Sequence, residues 1–291
     1  MSLYTRRWFV ACGGAAAATA ARPMMSLPMS VPIGLQLYSV GAELQRDLPG
    51  TLKALRAIGY ARVESSGFGG VTAKEFRVRL DEAGLVCPSA HMPLGDGELG
   101  KLFDDAHAVG AHYVVSSALL PKKPEGQEAT VEDYAMMADR LNEIGRQAKR
   151  AGLQYAYHNH NFEFKKLQGG RIGYDVLLAK TDPEAVAFEL DCGWAVSAGV
   201  SPAEYFARNP GRFRMLHVKD FVATPQPVYS LAKDKRPQGT ELGQGHIDYK
   251  PILAAAAKAG IKDYYIEQEP PFIAMTAMEA VGVDYRYLRA I

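Results

Sequence analysis

The chain has 291 residues, 48% of them apolar, and its 33 basic and 32 acidic side chains leave a net charge of +1. That length supports one large core without disulfides, and near-zero charge argues against nucleic acid as a main partner, which needs a basic face. No stretch approaches the roughly 20 continuous apolar residues of a membrane-spanning helix.

Residues 1–30 read differently from the rest. Arg6 and Arg7 precede Trp8 and Phe9, and a run of small residues then leads to Ala21, with Ala18-Thr19-Ala20 fitting an A-x-A cleavage site. The combination resembles a twin-arginine export signal, so an exported, periplasmic protein is expected. The plainer alternative is an amphipathic or disordered tail. Cys12 fits lipoprotein processing poorly, because the apolar run before it is very short. Past this segment, Cys87 and Cys192 show no pairing pattern. A disulfide is open to them in an oxidising compartment, and core thiols are the plainer reading.

From Val31 onward, short apolar runs alternate with helical patterns. Strands are expected at 33–38, 62–65, 86–91, 112–116, 154–159, 186–191, 213–218 and 264–267. Leu99, Leu102, Phe103, Ala106 and Val109 form one helical stripe, closed by Gly110. Tyr134, Met137, Ala138, Leu141, Ile144 and Ala148 form a longer one over 131–151. Thr130 with Asp133 looks like its capping box, and Gly152 stands where a helix-ending glycine belongs. Strand–helix alternation implies parallel strands. Eight units spread over 31–291 predict an α/β fold, a single-domain (β/α)8 TIM barrel. An open doubly wound sheet is the alternative, but neither G-x-G-x-x-G after the first strand nor a phosphate-binding loop is present to support nucleotide binding. The Pro/Gly/Lys-rich segment 222–245 has the length of a lid or binding loop.

In a barrel the C-terminal strand ends converge on the active face. Here those ends carry Gln36, Glu64, His91, Ser116 and Ser117, His158 and His160, Asp191, His217 and Lys219, and Glu267. Alternation places Ala156, His158 and His160 on one face, likewise Ala187, Glu189 and Asp191, then Met215, His217 and Lys219, and finally Tyr265, Glu267 and Glu269. Imidazoles and carboxylates from the last four barrel strands can therefore meet around one divalent cation: Mn, Zn, Co or Mg, which ligand type alone does not separate. On this reading "YHNHNFEF" (157–164) supplies one metal ligand and one neighbouring acid/base group.

The ordered set "GLQLYS" (34–39), "VES" (63–65), "YHNHNFEF", "ELDCGW" (189–194), "LHVKD" (216–220), "ELGQGHIDY" (241–249) and "YYIEQE" (264–269) resembles the sugar isomerase/epimerase family with a xylose-isomerase-like TIM barrel. Inosose dehydratases and type IV endonucleases belong to the same group. The resemblance implies a divalent metal held by Asp191, His217, Glu267 and one residue of 158–160, taken here as His158. Many relatives have glutamate where this chain has His158. That departure leaves the roles of His158 and His160 open and puts a symmetric two-glutamate epimerase mechanism in doubt. His160, Glu64 and Lys219 are the expected proton-handling groups, with an ion pair to Glu64 or Glu189 as the alternative for Lys219. Gln36 and His91 are expected to face substrate. Trp194 is either a sugar-stacking platform or a packing residue. Glu189 is read as lying deeper than Asp191, as a supporting or ion-pair partner. His107 and His112 read as structural, His246 is open, and the cations at 233–236 read as a solvated loop.

A metal beside a carbonyl and its neighbouring hydroxyl stabilises an enediolate, and a nearby base removes the α proton. The expected function is therefore a metal-dependent isomerase or epimerase of a sugar or keto-sugar. Alternatives are elimination from a 3-keto-glycoside or inosose-like polyol, and a non-catalytic carbohydrate-binding barrel. In each, the partner is a small-molecule carbohydrate.

Overall fold

The computed structural model describes residues 32–95, 98–117, 119–120 and 127–291; the export-type segment at 1–30 lies outside them. Strand β1 (Ile33–Gln36) runs through helices α1 (Gly41–Arg46) and α2 (Leu48–Ile58) into β2 (Arg62–Ser66). Then follow α3 (Ala73–Ala83), β3 (Val86–His91), α4 (Leu99–Val109), β4 (Tyr113–Ser117), α5 (Val131–Arg150) and β5 (Gln154–His158). The second half holds α6 (Gly173–Lys180), β6 (Val186–Asp191), α7 (Cys192–Ser197), α8 (Pro202–Arg208) and β7 (Phe213–Val218). A short pair, β8 (Asp220–Phe221) and β9 (Gly239–Thr240), precedes α9 (Tyr249–Lys258), β10 (Asp263–Ile266) and α10 (Ala277–Ala290).

Strands β1–β7 and β10 pair in parallel, and β1 bonds both β2 and β10. The sheet therefore closes, which an open doubly wound sheet cannot do. This is the expected single-domain (β/α)8 barrel. The main departure among the strands is β1, which stops at Gln36 rather than 38. The Gln36 side chain accepts a hydrogen bond from the Tyr38 N–H (3.1 Å) and turns residues 37–40 into a 3-10 turn.

Helix α5 starts as its sequence dictates. Thr130 Oγ1 accepts from Asp133 N (3.2 Å) and Asp133 Oδ2 accepts from Thr130 N (2.8 Å). Its apolar stripe is buried against the barrel, and Gly152 (φ +80°) releases the chain into β5. Inside the barrel a separate plug forms from Val115, Ala156, Ala187, Met215 and Tyr265. Gly34 makes room for it: a Cβ there would lie 2.4 Å from the Tyr265 ring. The inward parity set by that plug carries up each strand and aims the next inward side chains at the mouth. Cys87 and Cys192 are buried free thiols, and burial pushes Cys87 up to about 12.

The ends of the 222–245 segment are tied together. β8 and β9 pair antiparallel. Asp220 Oδ1 accepts from the backbone N–H groups of Phe221 (2.9 Å) and Ile247 (3.1 Å). Its Oδ2 accepts from Gly243 (3.1 Å) and Gly245 (3.2 Å). Among the described residues, no helix is long and apolar enough to cross a membrane.

Candidate metal centre and active site

Register brings the polar strand ends to one level: Ser117 pairs with His158, His158 with Glu189, and Asp191 with His217. The side chains form two tiers. In the lower tier, Glu64 and Glu189 are fully buried. Glu64 accepts from Gln36 Nε2 (2.7 Å) and Ser89 Oγ (2.6 Å), and lies 2.6 Å from His217 Nε2. One oxygen of Glu189 meets His91 Nε2 (2.9 Å), His158 Nδ1 (3.1 Å) and His217 Nε2 (3.2 Å).

The upper tier holds His158, Asp191, His217 and Glu267. Each offers a ligand atom, and all four atoms lie within 4.8 Å of one another. Ligands at about 2.1 Å from one ion stand from about 3.4 Å apart in a tetrahedral set to about 4.2 Å apart across the ion, so the four atoms would have to draw in to hold a cation. A second cluster, His91, His158, Glu189 and His217, shares two members with the first. Histidine geometry favours the upper set. His158 points Nδ1 at Glu189 and Nε2 toward Asp191 (4.0 Å). His217 points Nε2 at Glu64 and Nδ1 toward Glu267 (3.1 Å) and Asp191 (3.9 Å). Each imidazole thus has one nitrogen backed by a buried carboxylate and the other free to ligate, the usual arrangement behind a metal-binding histidine.

The donor set fits a divalent ion on two further counts. Glu189 Oε1 is buried without a hydrogen-bond partner, a costly state unless something cationic meets it, and Asp191 Oδ2 is met by the Lys219 ammonium alone at 3.1 Å. Four buried carboxylates also face one permanent cation, Lys219, and lean on the His217 imidazole for further positive charge.

The protonation states follow from the same crowding. Burial alone would lower His217, but Glu189, Glu64 and Glu267 hold it well above its ordinary value. Burial drives His158 well down and His160 down to about 3. It pushes Glu189 up to about 7 and Asp191 up to about 6, against the pull of Lys219. Lys219 stays an ammonium, because Asp191, Glu267 and Glu269 outweigh its burial.

The expected site residues divide by position. Gln36, His91, His158, His160 and Glu267 line a cavity of about 250 Å³ at the mouth, with Tyr38, Ser66, Ser117 and Glu269. Glu64 lies beneath that cavity and is saturated by Gln36, Ser89 and His217. Lys219 pairs not with Glu64 or Glu189 but with Asp191 (3.1 Å), Glu267 (2.5 Å) and Glu269 (2.8 Å). Trp194 is not in this wall; it borders a neighbouring cavity behind Lys219, whose Nζ sits 4.9 Å from the indole centroid. His107 bonds the Ala151 carbonyl and His246 that of Phe221, both away from the site. Arg236, expected in a solvated loop, instead pairs with Glu269 (3.1 Å).

Two residues within "YHNHNFEF" had no expected role. Asn159, fully buried, donates to His160 O (3.1 Å) and Asp191 O (3.4 Å) and accepts from Asp191 N (3.1 Å). Glu163 accepts from Tyr157 OH (2.7 Å) and His160 N (3.0 Å). Both brace the strand end that carries the histidines. Two asparagines and a glutamate within eight residues were the available signal.

A closed parallel barrel with a buried imidazole–carboxylate cluster at the C-terminal mouth defines the class: a TIM barrel built around a metal-type site. The chain belongs to the xylose isomerase-like TIM barrel family, whose model matches residues 52–281. It is 30% identical over 186 residues to an inosose dehydratase of Lacticaseibacillus casei, covering 57% of this chain and 61% of that protein. The match thus spans less than two thirds of that relative. A solved sugar phosphate isomerase/epimerase of Parabacteroides distasonis superposes with TM-score 0.72 at 27% identity, covering 95% of this chain and 98% of that one. A xylose isomerase-like TIM barrel protein of Mycobacterium smegmatis in complex with magnesium shares the fold, with TM-score 0.63 at 17% identity over 90% and 96% of the two chains.

Proposed function

We propose that this protein is a divalent-metal-dependent isomerase or epimerase of a keto-sugar or sugar-like polyol, working through proton removal next to a carbonyl. The upper-tier set carries this reading: His158, Asp191, His217 and Glu267, with Glu189 and Glu64 backing the two imidazoles. These four residues would hold the ion, which supplies Lewis-acid polarisation of a carbonyl or hydroxyl oxygen. His160, in the cavity wall, keeps a neutral ring, which can hydrogen-bond a substrate hydroxyl. Lys219, fixed as an ammonium, stabilises negative charge developing on a substrate oxygen. Gln36 has its amide engaged by Tyr38 and Glu64 and shapes the wall; His91 and Tyr38 present polar edges to the substrate.

Returning the proton to the neighbouring carbon gives isomerisation; returning it to the same carbon on the other face gives epimerisation. Elimination is the second reading, favoured by the inosose dehydratase relative and by His158 where a second glutamate base would stand. The export-type leader expected at 1–30 points to non-phosphorylated carbohydrate as the substrate. Metal content of the purified protein beside Asp191→Ala, with keto-sugars incubated in D2O and followed by NMR, tests the reading. Expected are about one bound divalent ion per chain, lost in the variant, and deuterium entering the carbon next to the carbonyl only with the parent. Unchanged product mass apart from deuterium marks isomerisation, and loss of water marks elimination. Turnover by Asp191→Ala at the parent's rate would sink the mechanism.

A further inference from the structure

Beside the metal pocket lies a second cavity of about 330 Å³, walled in part by Trp194, Phe221, Lys233, Arg236, Glu269 and Ile273. Glu269 belongs to the walls of both cavities, so they adjoin across one side chain. We propose that this cavity is a second subsite, which takes a ring bearing an anionic group and joined to the carbohydrate in the metal pocket. Only the joining rests on the carbohydrate reading above; the ring and its charge rest on the cavity itself.

Three observations set the ligand's chemistry. The first is an apolar lining. Trp194 and Phe221, buried and packed at 4.8 Å between ring centroids, form its floor, and Ile273 leaves 65% of itself exposed at the rim. A cavity of about 150 Å³ already holds benzene, so size admits a substituted ring. The second is the Trp194 indole Nε1, buried and without a hydrogen-bond partner. A buried N–H left alone is unfavourable, and a ligand oxygen would satisfy it. The third is charge. Arg236 is matched by Glu269 at 3.1 Å and also bonds the Pro270 carbonyl. Lys233 has no hydrogen-bond or ion-pair partner among the described residues, so the wall carries two cations to one carboxylate. An aromatic carboxylate meets all three: a flat face, an acceptor oxygen and one negative charge.

The chain's two tryptophans are Trp8 and Trp194, so full-length protein carrying Trp8→Phe makes Trp194 the sole reporter. Sodium benzoate, benzyl alcohol and sodium acetate are titrated, with binding read by fluorescence and by calorimetry. Benzoate should bind saturably and more tightly than either partial mimic. Lys233→Ala should weaken benzoate about two- to five-fold, the scale of one exposed charge pair, and leave benzyl alcohol unchanged. Ile273→Ala should weaken both rings, and His91→Ala, in the wall of the metal pocket, should weaken neither. No saturable benzoate binding, or benzoate binding weakened by His91→Ala and untouched by Lys233→Ala, overturns the subsite. A 4-carboxyphenyl glycoside should bind at least about ten-fold more tightly than benzoate if one molecule spans both cavities. Equal affinity with benzoate binding intact would overturn the joining to carbohydrate and leave the ring site standing.

Discussion

Replacing Asn159 by alanine tests whether the metal centre depends on a residue that never touches the cavity. Asn159 is fully buried, and its amide ties β5 to β6 through the backbone of Asp191. The substitution strips partners from the Asp191 N–H and from the carbonyls of His160 and Asp191. The 3.4 Å contact is weak, so the count is close to two good hydrogen bonds. A buried backbone group left unpaired costs about 1–3 kcal/mol, which puts the total for two at about 2–6 kcal/mol. For a domain of this size, at about 2–4 °C per kcal/mol, that lowers the melting midpoint by at least about 4 °C and by up to about 24 °C. Asp191 carries both a proposed ligand oxygen and the N-cap of α7, where Oδ1 accepts from Trp194 N at 2.8 Å. Loosening its backbone should therefore weaken metal binding about 10- to 100-fold, as supporting-residue changes do. The assays are denaturant unfolding of metal-free protein and competitive chelator titration of the loaded protein. A variant that unfolds within about 1 kcal/mol of the parent and holds the ion equally well would refute the reasoning.

Gly193→Ala would place a Cβ 2.3 Å from Lys219 Cγ and 2.7 Å from its carbonyl oxygen. Because backbone is involved, no rotamer relieves the clash, and a loss of about 1–3 kcal/mol in denaturant unfolding is expected, with Lys219 displaced. Thr130→Ala removes the α5 cap and should cost about 1 kcal/mol, or about 2–4 °C in melting midpoint. Burial, with Glu241 and Asp220 adding, pushes Asp284 up to about 7 even though Leu242 N–H donates to it. Its folded value thus stands above its unfolded one, so the native state holds the proton more tightly. Stability from this group is complete below about pH 4 and is lost as pH rises toward 7, by up to about 4 kcal/mol. Asp284→Asn should match the parent near pH 4 and exceed it at pH 8; parallel stability–pH curves for the two proteins would contradict this.

The strand ends were legible because parity is local: once Ala156 is inside, His158 is too, whatever the rest of the chain does. The cap and stripe of α5 were legible for the same reason. What escaped depends on contacts between distant segments. β1 looked longer because nothing in "GLQLYS" announces that Gln36 will fold back onto Tyr38. Lys219 could be placed at the mouth, but its partners depend on the register of β7 against β10, which no local pattern encodes. Trp194 follows Asp191 so closely that the sequence left a stacking platform and a packing residue equally open. Helix α7 begins at Cys192, and the helical turn carries the indole behind Lys219. Asn159 was visible as a letter and not as a clamp, because its partner lies 32 residues away.

The knot at Asp220 separates two rates of change. Four backbone N–H groups converge on that one carboxylate, and β8 and β9 close the neck of the loop just beyond it. Apart from the ties that Arg236 makes to Glu269 and the Pro270 carbonyl and that Ser230 makes to Asn161, residues between the two strands can change with little force carried into β7 or β10. The barrel can therefore keep its buried charges in place while the rim that greets the ligand is rewritten.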